Sequence, residues 1–84
     1  MEEEQVGLVT NFYVKIGVAA IKVTSGVIRI GDTLHFKGHT TDFEEKVASM
    51  EIKNQLVNEA GLGSEVGIKV KQRVRENDKV YKVV

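Results

Sequence analysis

The sequence contains neither cysteine nor proline. Without cysteine there can be no disulfide, no thiolate metal site and no cysteine nucleophile, so packing alone must hold the core. The absence of proline fits a sheet whose strands need their backbone N–H groups. The 84 residues, 42% of them hydrophobic, are enough for one small domain that folds alone.

Long hydrophobic runs are also absent. No apolar segment approaches the roughly 18 residues that would span a bilayer, and the N-terminus is acidic where a signal peptide would be basic. These features predict a cytoplasmic protein with no membrane partner. We expect residues 1–5 to be a disordered acidic terminus and residues 6–84 to form the domain.

Short extended segments separated by glycine residues make up most of the chain. β-Branched residues are concentrated in residues 6–13, 17–23 and 33–37. In the last third of the chain, apolar residues occupy alternate positions over residues 65–70 and 80–83. In the turn at Gly31-Asp32, the aspartate carboxylate is expected to accept a hydrogen bond from a backbone amide. Many short strands joined by turns predict an all-β barrel or sandwich.

Alternate apolar residues of these segments are predicted to fill the core from one face: Val6, Leu8, Ala19, Ile21, Leu34, Phe36, Met50, Ile52, Val66, Ile68 and Val70.

The middle of the chain supports two interpretations. Its apolar residues fit helical spacing between Phe43 and Val57, and Asp42 stands where a helix N-cap would be. The alternative is a strand, one face of which carries Ala48, Met50 and Ile52. Local pattern alone leaves both interpretations open.

Positive charge is concentrated in one segment although the formal net charge of the chain is zero. Basic residues occupy alternate positions, with no acidic residue between them: Lys69, Lys71, Arg73 and Arg75. On one strand they would point the same way. Such a row predicts either a phosphate-binding stripe or a solvated edge that resists aggregation.

Two spaced motifs resemble a known family. The pattern Gly26-x-Ile28-x-x-Gly31-Asp32-x-Leu34, followed by Ala60-x-x-Gly63-x-x-Val66-Gly67, resembles the second domain of translational GTPases, and the resemblance extends over residues 6–83. It implies a closed, six-stranded, mostly antiparallel β-barrel of the translation-factor domain 2 type. In that fold residues 44–53 form a strand, so the resemblance favours the strand over the helix.

The resemblance also implies a function. It predicts a noncatalytic, elongation factor-like module that binds RNA or a ribonucleoprotein, with transfer RNA and ribosomal RNA as the candidate RNAs. Glu51 aligns with a glutamate that lies at the terminal adenosine of transfer RNA in elongation factor Tu, whereas Lys53 and Asn54 replace the aromatic residue and the arginine found there. The alternative is a protein–protein interaction barrel that docks on an enzyme or a ribosomal partner.

Cofactor and catalytic sites are not expected. The chain lacks the Gly-Lys-Ser/Thr end of a phosphate-binding loop, so no nucleotide binding is predicted. His35, His39 and Asp42 could be imagined as metal ligands, but His35 should face outward between two core residues and His39 should lie in a turn. We therefore predict no metal site, no cofactor and no enzymatic activity.

Overall fold

The computed structural model describes residues 2–84, which form ten β-strands and no helix. The strands are β1 (Glu3–Tyr13), β2 (Val18–Val23), β3 (Ile28–Arg29), β4 (Thr33–Lys37), β5 (Asp42–Lys46), β6 (Met50–Ile52), β7 (Gln55–Val57), β8 (Glu59–Ala60), β9 (Glu65–Lys69) and β10 (Lys79–Val83). In the part of the chain described, nothing has the form of a long apolar helix that could cross a membrane.

Eight of the strands form one antiparallel sheet. Their order is β5-β4-β10-β1-β2-β9-β6-β7, and β3 pairs with β8 in a separate two-stranded sheet. Every pairing is antiparallel. The expectation of an all-β, mostly antiparallel fold is therefore confirmed.

One face of the large sheet is buried in a continuous core. Strand alternation places one residue in two on this face, as in β9, where Val66 and Ile68 are buried and Glu65 and Lys69 are exposed. The predicted core residues are buried apart from Leu8 and Ile52, which are half-buried. Phe36 and Phe43 stack inside the core with their ring centroids 5.1 Å apart.

The middle of the chain consists of two strands and not of a helix. The single strand expected over residues 44–53 is divided, because residues 47–49 belong to no strand. Val47, the first of them, bonds to the two residues that precede β4. Its N–H donates to the carbonyl of Asp32 at 2.8 Å, and its own carbonyl accepts from the N–H of Gly31 at 2.9 Å. Val47 is buried and Ala48 is exposed, so Ala48 does not belong to the core face.

The expected closed barrel of six strands is wrong in strand number and in closure. Among residues 2–84 the strand order has two open ends, β5 and β7, which are not paired with each other. Residues 47–49 separate β5 from β6, and the two halves of the expected strand stand near opposite ends of the strand order.

The acidic N-terminal residues belong to the sheet from Glu3 onward. Residues 3–5, which we assigned to the terminus outside the domain, are the first part of β1. Glu3 is the register partner of Val83, and Glu4 is that of Lys82. The pairing places the Glu3 carboxylate over the outer face of β10 and β4.

The turn between β3 and β4 has the predicted chemistry. Gly31 has a φ of 94°, a value that favours glycine. The Asp32 carboxylate accepts a hydrogen bond from the Arg29 N–H at 2.8 Å, as expected. It also lies 3.4 Å from the ammonium of Lys82, which links the turn to β10.

Close packing at Gly7 yields a stability prediction. A Cβ atom on Gly7 would lie 2.5 Å from the Lys22 carbonyl oxygen and 2.9 Å from Cγ2 of Ile21. Because the first of these atoms is backbone of the neighbouring strand, Gly7→Ala should lower the free energy of unfolding by about 1–3 kcal/mol. Gly61 has no atom within 4 Å of such a Cβ and no positive φ, so Gly61→Ala should change it by less than about 0.5 kcal/mol. Urea unfolding followed by circular dichroism measures both, and equal losses would contradict this account of β1 packing.

Candidate functional site

A shallow groove crosses the outer face of the large sheet, and we call it the β2–β9 groove. Its floor is formed by small residues on neighbouring strands, Ala20 of β2 and Gly67 of β9, which are register partners. Glu51 of β6 is in turn the register partner of Gly67. Because residues paired in register point to the same side of a sheet, the absence of large side chains at the first two positions creates the depression.

Two tight turns supply the walls of the β2–β9 groove. The β1–β2 turn is closed by a hydrogen bond from the Gly17 N–H to the Tyr13 carbonyl at 2.9 Å, and it presents Tyr13 and Ile16. On the opposite side, Lys53 and Asn54 form the two-residue β6–β7 turn, with φ values of 52° and 64°. These values fit a type I′ turn, for which asparagine is well suited. The volume of the groove is about 650 Å³.

Apolar side chains stand exposed at both ends of this groove. Tyr13 is 49% exposed and Ile16 is 61% exposed at one end. Leu56 of β7, 76% exposed, is the register partner of Glu51 and so lies on the same face at the other end. Exposed apolar residues that gather around a depression are typical of a binding surface.

The charges that line the groove balance. Two carboxylates, Glu51 and Glu65, stand among two ammonium groups, Lys53 and Lys69. A surface that binds a polyanion carries an excess of positive charge, and this groove has none. The mixture of exposed apolar side chains and balanced charges suits a polypeptide better than a nucleic acid.

The basic row of the sequence is divided among three places. Lys69 ends β9 and lines the β2–β9 groove, whereas the other three residues lie in the loop that follows. Arg73 and Arg75 border a second depression beside Asn11. The row therefore does not form one strand face, although all four side chains are exposed.

Two of these loop residues make hydrogen bonds to side chains from distant parts of the chain. The Lys71 N–H donates to the Glu45 carboxylate at 2.8 Å, and the Arg75 guanidinium donates to the Thr40 hydroxyl at 3.0 Å. The structure places Lys69 and Glu51 at the β2–β9 groove and Arg73 and Arg75 at the second depression. The assignment of Lys69, Lys71, Arg73, Arg75 and Glu51 as site residues stays a prediction.

A second polar site, the His35 cluster, consists of Glu3, His35, Asp42 and Glu44. His35 points outward from β4, as expected, but its side chain is only 15% exposed. Its Nδ1 lies 2.7 Å from the Glu3 carboxylate, and its Nε2 lies 2.5 Å from the Asp42 carboxylate. With both ring nitrogens bound to carboxylates, the imidazole has no free nitrogen with which to activate a nucleophile.

The carboxylates control the protonation of His35. The hydrogen bond to Asp42 is the largest influence, and it raises the pKa of His35 above its ordinary value of 6.5. Glu3 raises this pKa further, whereas partial burial of the ring lowers it. The same hydrogen bond lowers the pKa of the Asp42 carboxyl below 3.8. The combination of His35, His39 and Asp42, which the sequence analysis set aside as metal ligands, is not assembled, because the carboxylates that group with His35 as ligand atoms are Glu3 and Glu44.

Sequence reasoning missed the groove walls and Glu3. The turn between β1 and β2 carries three apolar residues, Tyr13, Val14 and Ile16. Because turns are usually polar, this composition was a sequence signal for an exposed apolar surface. The place of Glu3 beside His35 had no local signal, because the two residues are 32 positions apart.

Comparisons with known proteins identify the fold. No protein-family model matches the chain. The chain is 44% identical over 78 residues to an uncharacterized protease of Methanocaldococcus jannaschii, and 33% identical over 82 residues to a collagenase of Porphyromonas gingivalis. These matches cover 92% and 96% of the chain but only 19% and 23% of the relatives, so the chain spans about a fifth of their length.

Two solved structures match almost the whole chain. Both are of the C-terminal domain of a Geobacillus thermoleovorans protein described as a U32 peptidase. One has a TM-score of 0.89 and covers 96% of this chain and 93% of that one; its selenomethionine variant has a TM-score of 0.86, with 92% and 96% covered. Sequence identity is 21% in both. The fold is that of a U32 peptidase C-terminal domain.

These findings correct the family and function expected from the sequence. The similar proteins are a protease, a collagenase and a U32 peptidase domain, and not translational GTPases. The elongation factor-like, RNA-binding function is therefore wrong. The expectation of no enzymatic activity is corrected as well, because the similar proteins are named as a protease and a collagenase, of which the chain spans about a fifth. The error arose because Gly31, Asp32 and Gly63 form turns here and Ile28, Leu34 and Val66 fill the core, so the shared motifs describe structure and not function.

The His35 cluster predicts a pH dependence of stability. Since the His35 pKa is raised on folding, its contribution is fully present below pH 6.5 and is lost as the pH rises through the raised value. The pKa of Asp42 is lowered, so its contribution is present above pH 3.8 and is lost as the pH falls through the lowered value. The cluster should therefore stabilise the fold most between these two limits.

Urea unfolding at a series of pH values tests this dependence. The free energy of unfolding of the unmodified chain should fall as the pH rises above 6.5, and His35→Gln should remove this fall. The control His39→Gln changes an exposed histidine in a turn. In this variant the free energy of unfolding should still fall above pH 6.5. If the free energy of unfolding of His35→Gln still falls above pH 6.5 as steeply as that of the unmodified chain, the His35 cluster is not the cause of the fall.

Proposed function

We propose that this chain is the polypeptide-binding part of a peptidase of the U32 kind, and that the β2–β9 groove holds an extended stretch of the substrate. The observation that carries the proposal is the groove itself: small residues on its floor, exposed apolar residues at its ends and balanced charges along its sides. The similarity to a protease and a collagenase supports a polypeptide as the ligand.

The size of the groove suits this role. Its volume of about 650 Å³ lies within the range of sites that hold several side chains of a ligand. An extended polypeptide would place apolar side chains against Tyr13 and Ile16 at one end and against Leu56 at the other. Between the two ends of the groove, charged side chains of the polypeptide would pair with Glu51 or Lys69.

The open edge of the sheet offers further contacts. β7 is the last strand in the sheet order, so one side of its backbone is without a partner strand within residues 2–84. An extended peptide can add to such an edge by main-chain hydrogen bonds, which give affinity with little sequence selectivity. This property suits a peptidase that acts on long substrates.

The hydrolytic step is proposed for the longer protein and not for this segment alone. The match to the curated relatives leaves about four fifths of their length outside the chain. In this proposal the groove raises the local concentration of substrate beside the catalytic part. The cytoplasmic location expected from the sequence stays a prediction.

A binding measurement with matched variants tests the groove. The double variant Tyr13→Ser, Ile16→Ser should raise the Kd for fluorescein-labelled gelatin fragments by about 10- to 30-fold, because each lost apolar contact contributes about 1 kcal/mol. The control Ile30→Ser, Leu62→Ser removes two apolar residues with 41% and 72% exposure that do not line the groove. The control should leave the Kd within about twofold. Fluorescence anisotropy gives the Kd, and circular dichroism confirms that each variant is folded.

Two results would contradict the proposal. The first is a failure of the unmodified chain to bind gelatin fragments at any concentration up to the millimolar range. The second is an equal loss of affinity in the groove variant and in its control, since binding would then depend on general surface hydrophobicity.

A further inference from the structure

The His35 cluster brings metal-ligand atoms together from three strands. Glu3 of β1, His35 of β4 and Glu44 of β5 each offer one ligand atom, and the three atoms lie within 4.8 Å of one another. Ligand atoms around a tetrahedral zinc ion are about 3.4 Å apart, given bond lengths near 2.1 Å. The 4.8 Å limit exceeds this spacing by about 1.4 Å, a difference that rotation of the two glutamate side chains can supply.

The backbone holds these three residues rigidly. His35 and Glu44 are register partners in adjacent strands, so their side chains point to the same face. Glu3 is held in β1 by pairing with Val83 of β10, the strand that separates β1 from β4. Ligands that are fixed on strands are better positioned than ligands on loops.

Asp42 orients the imidazole. It lies 2.5 Å from Nε2, at the side of the ring away from Glu3. A carboxylate on one ring nitrogen fixes the tautomer and makes the other nitrogen a better metal ligand. The half-buried position of His35, with 15% of its side chain exposed, limits the rotation of the ring.

We propose that Glu3, His35 and Glu44 bind one divalent cation of the zinc class, with Asp42 as the positioning residue for His35. The cation would replace the proton shared between Nδ1 of His35 and the Glu3 carboxylate, while Asp42 keeps the proton on Nε2. One imidazole and two carboxylates suit borderline ions such as Zn²⁺ and Co²⁺ better than Mg²⁺ or Ca²⁺, which prefer oxygen ligands alone. The site does not depend on the proposed function, because none of its residues lines the β2–β9 groove.

Isothermal titration of ZnCl₂ into the purified chain at pH 7.5 tests the site, and Co²⁺ absorption reports its geometry. We expect one ion per chain, a four-coordinate Co²⁺ spectrum and a higher midpoint of thermal unfolding with zinc. Glu44→Gln, an exposed change, should weaken binding by at least about tenfold, and His35→Gln should weaken it further. Asp42→Ala should weaken it by about 10- to 100-fold, as expected for a partner of a ligating histidine.

His39→Gln is the matched control, because it removes the other histidine of the chain and leaves the cluster intact. It should bind zinc as tightly as the unmodified chain. The proposal would be overturned by no zinc binding to the unmodified chain at millimolar concentration, or by a loss in His39→Gln equal to that in His35→Gln. Unchanged affinity in the folded Glu44→Gln variant would remove Glu44 from the ligand set and would overturn the three-ligand site.

Discussion

The burial of a single face of the eight-stranded sheet is the constraint on which the rest of this structure depends. A chain of 84 residues without cysteine has no covalent cross-link and must obtain its stability from packed apolar surface. Ile21 of β2 and Ile68 of β9 are fully buried, as are Leu34 and Phe36 of β4. Because side chains alternate along a strand, the burial of these residues dictates which residues remain on the outer face.

Both candidate sites are consequences of that alternation. Gly67 lies between buried Val66 and Ile68, so it faces outward and leaves the depression beside Glu51. His35 lies between buried Leu34 and Phe36, so its ring reaches the outer face, where Glu3 and Asp42 meet it. A slip of one residue in either strand would destroy the core and its site together. The stability of the fold and the geometry of the sites are therefore coupled.

The family resemblance shows how motifs can carry the structure of a domain without its function. Gly31 and Gly63 adopt positive φ in turns, and the Asp32 carboxylate accepts a backbone hydrogen bond. These requirements belong to the way short antiparallel strands are connected, and any domain with similar connections will satisfy them. The residues on which the proposed peptide-binding groove depends are instead outward ones, such as Tyr13 and Ile16.

The sequence by itself determined the strand class, most of the core and the turn chemistry, because each of these depends on neighbours within a few positions. Alternation predicted that Val66 and Ile68 would be buried, and the Gly-Asp pair predicted the turn at residue 32. Only the tertiary structure decided that residues 47–49 interrupt the expected strand and that Val47 bonds to Gly31 and Asp32. It alone brought Glu3 to His35, and Glu51 to Gly67. These contacts join residues 15 to 32 positions apart. Their formation depends on the order of strands in the sheet, which the global packing of one buried face selects and no local pattern encodes.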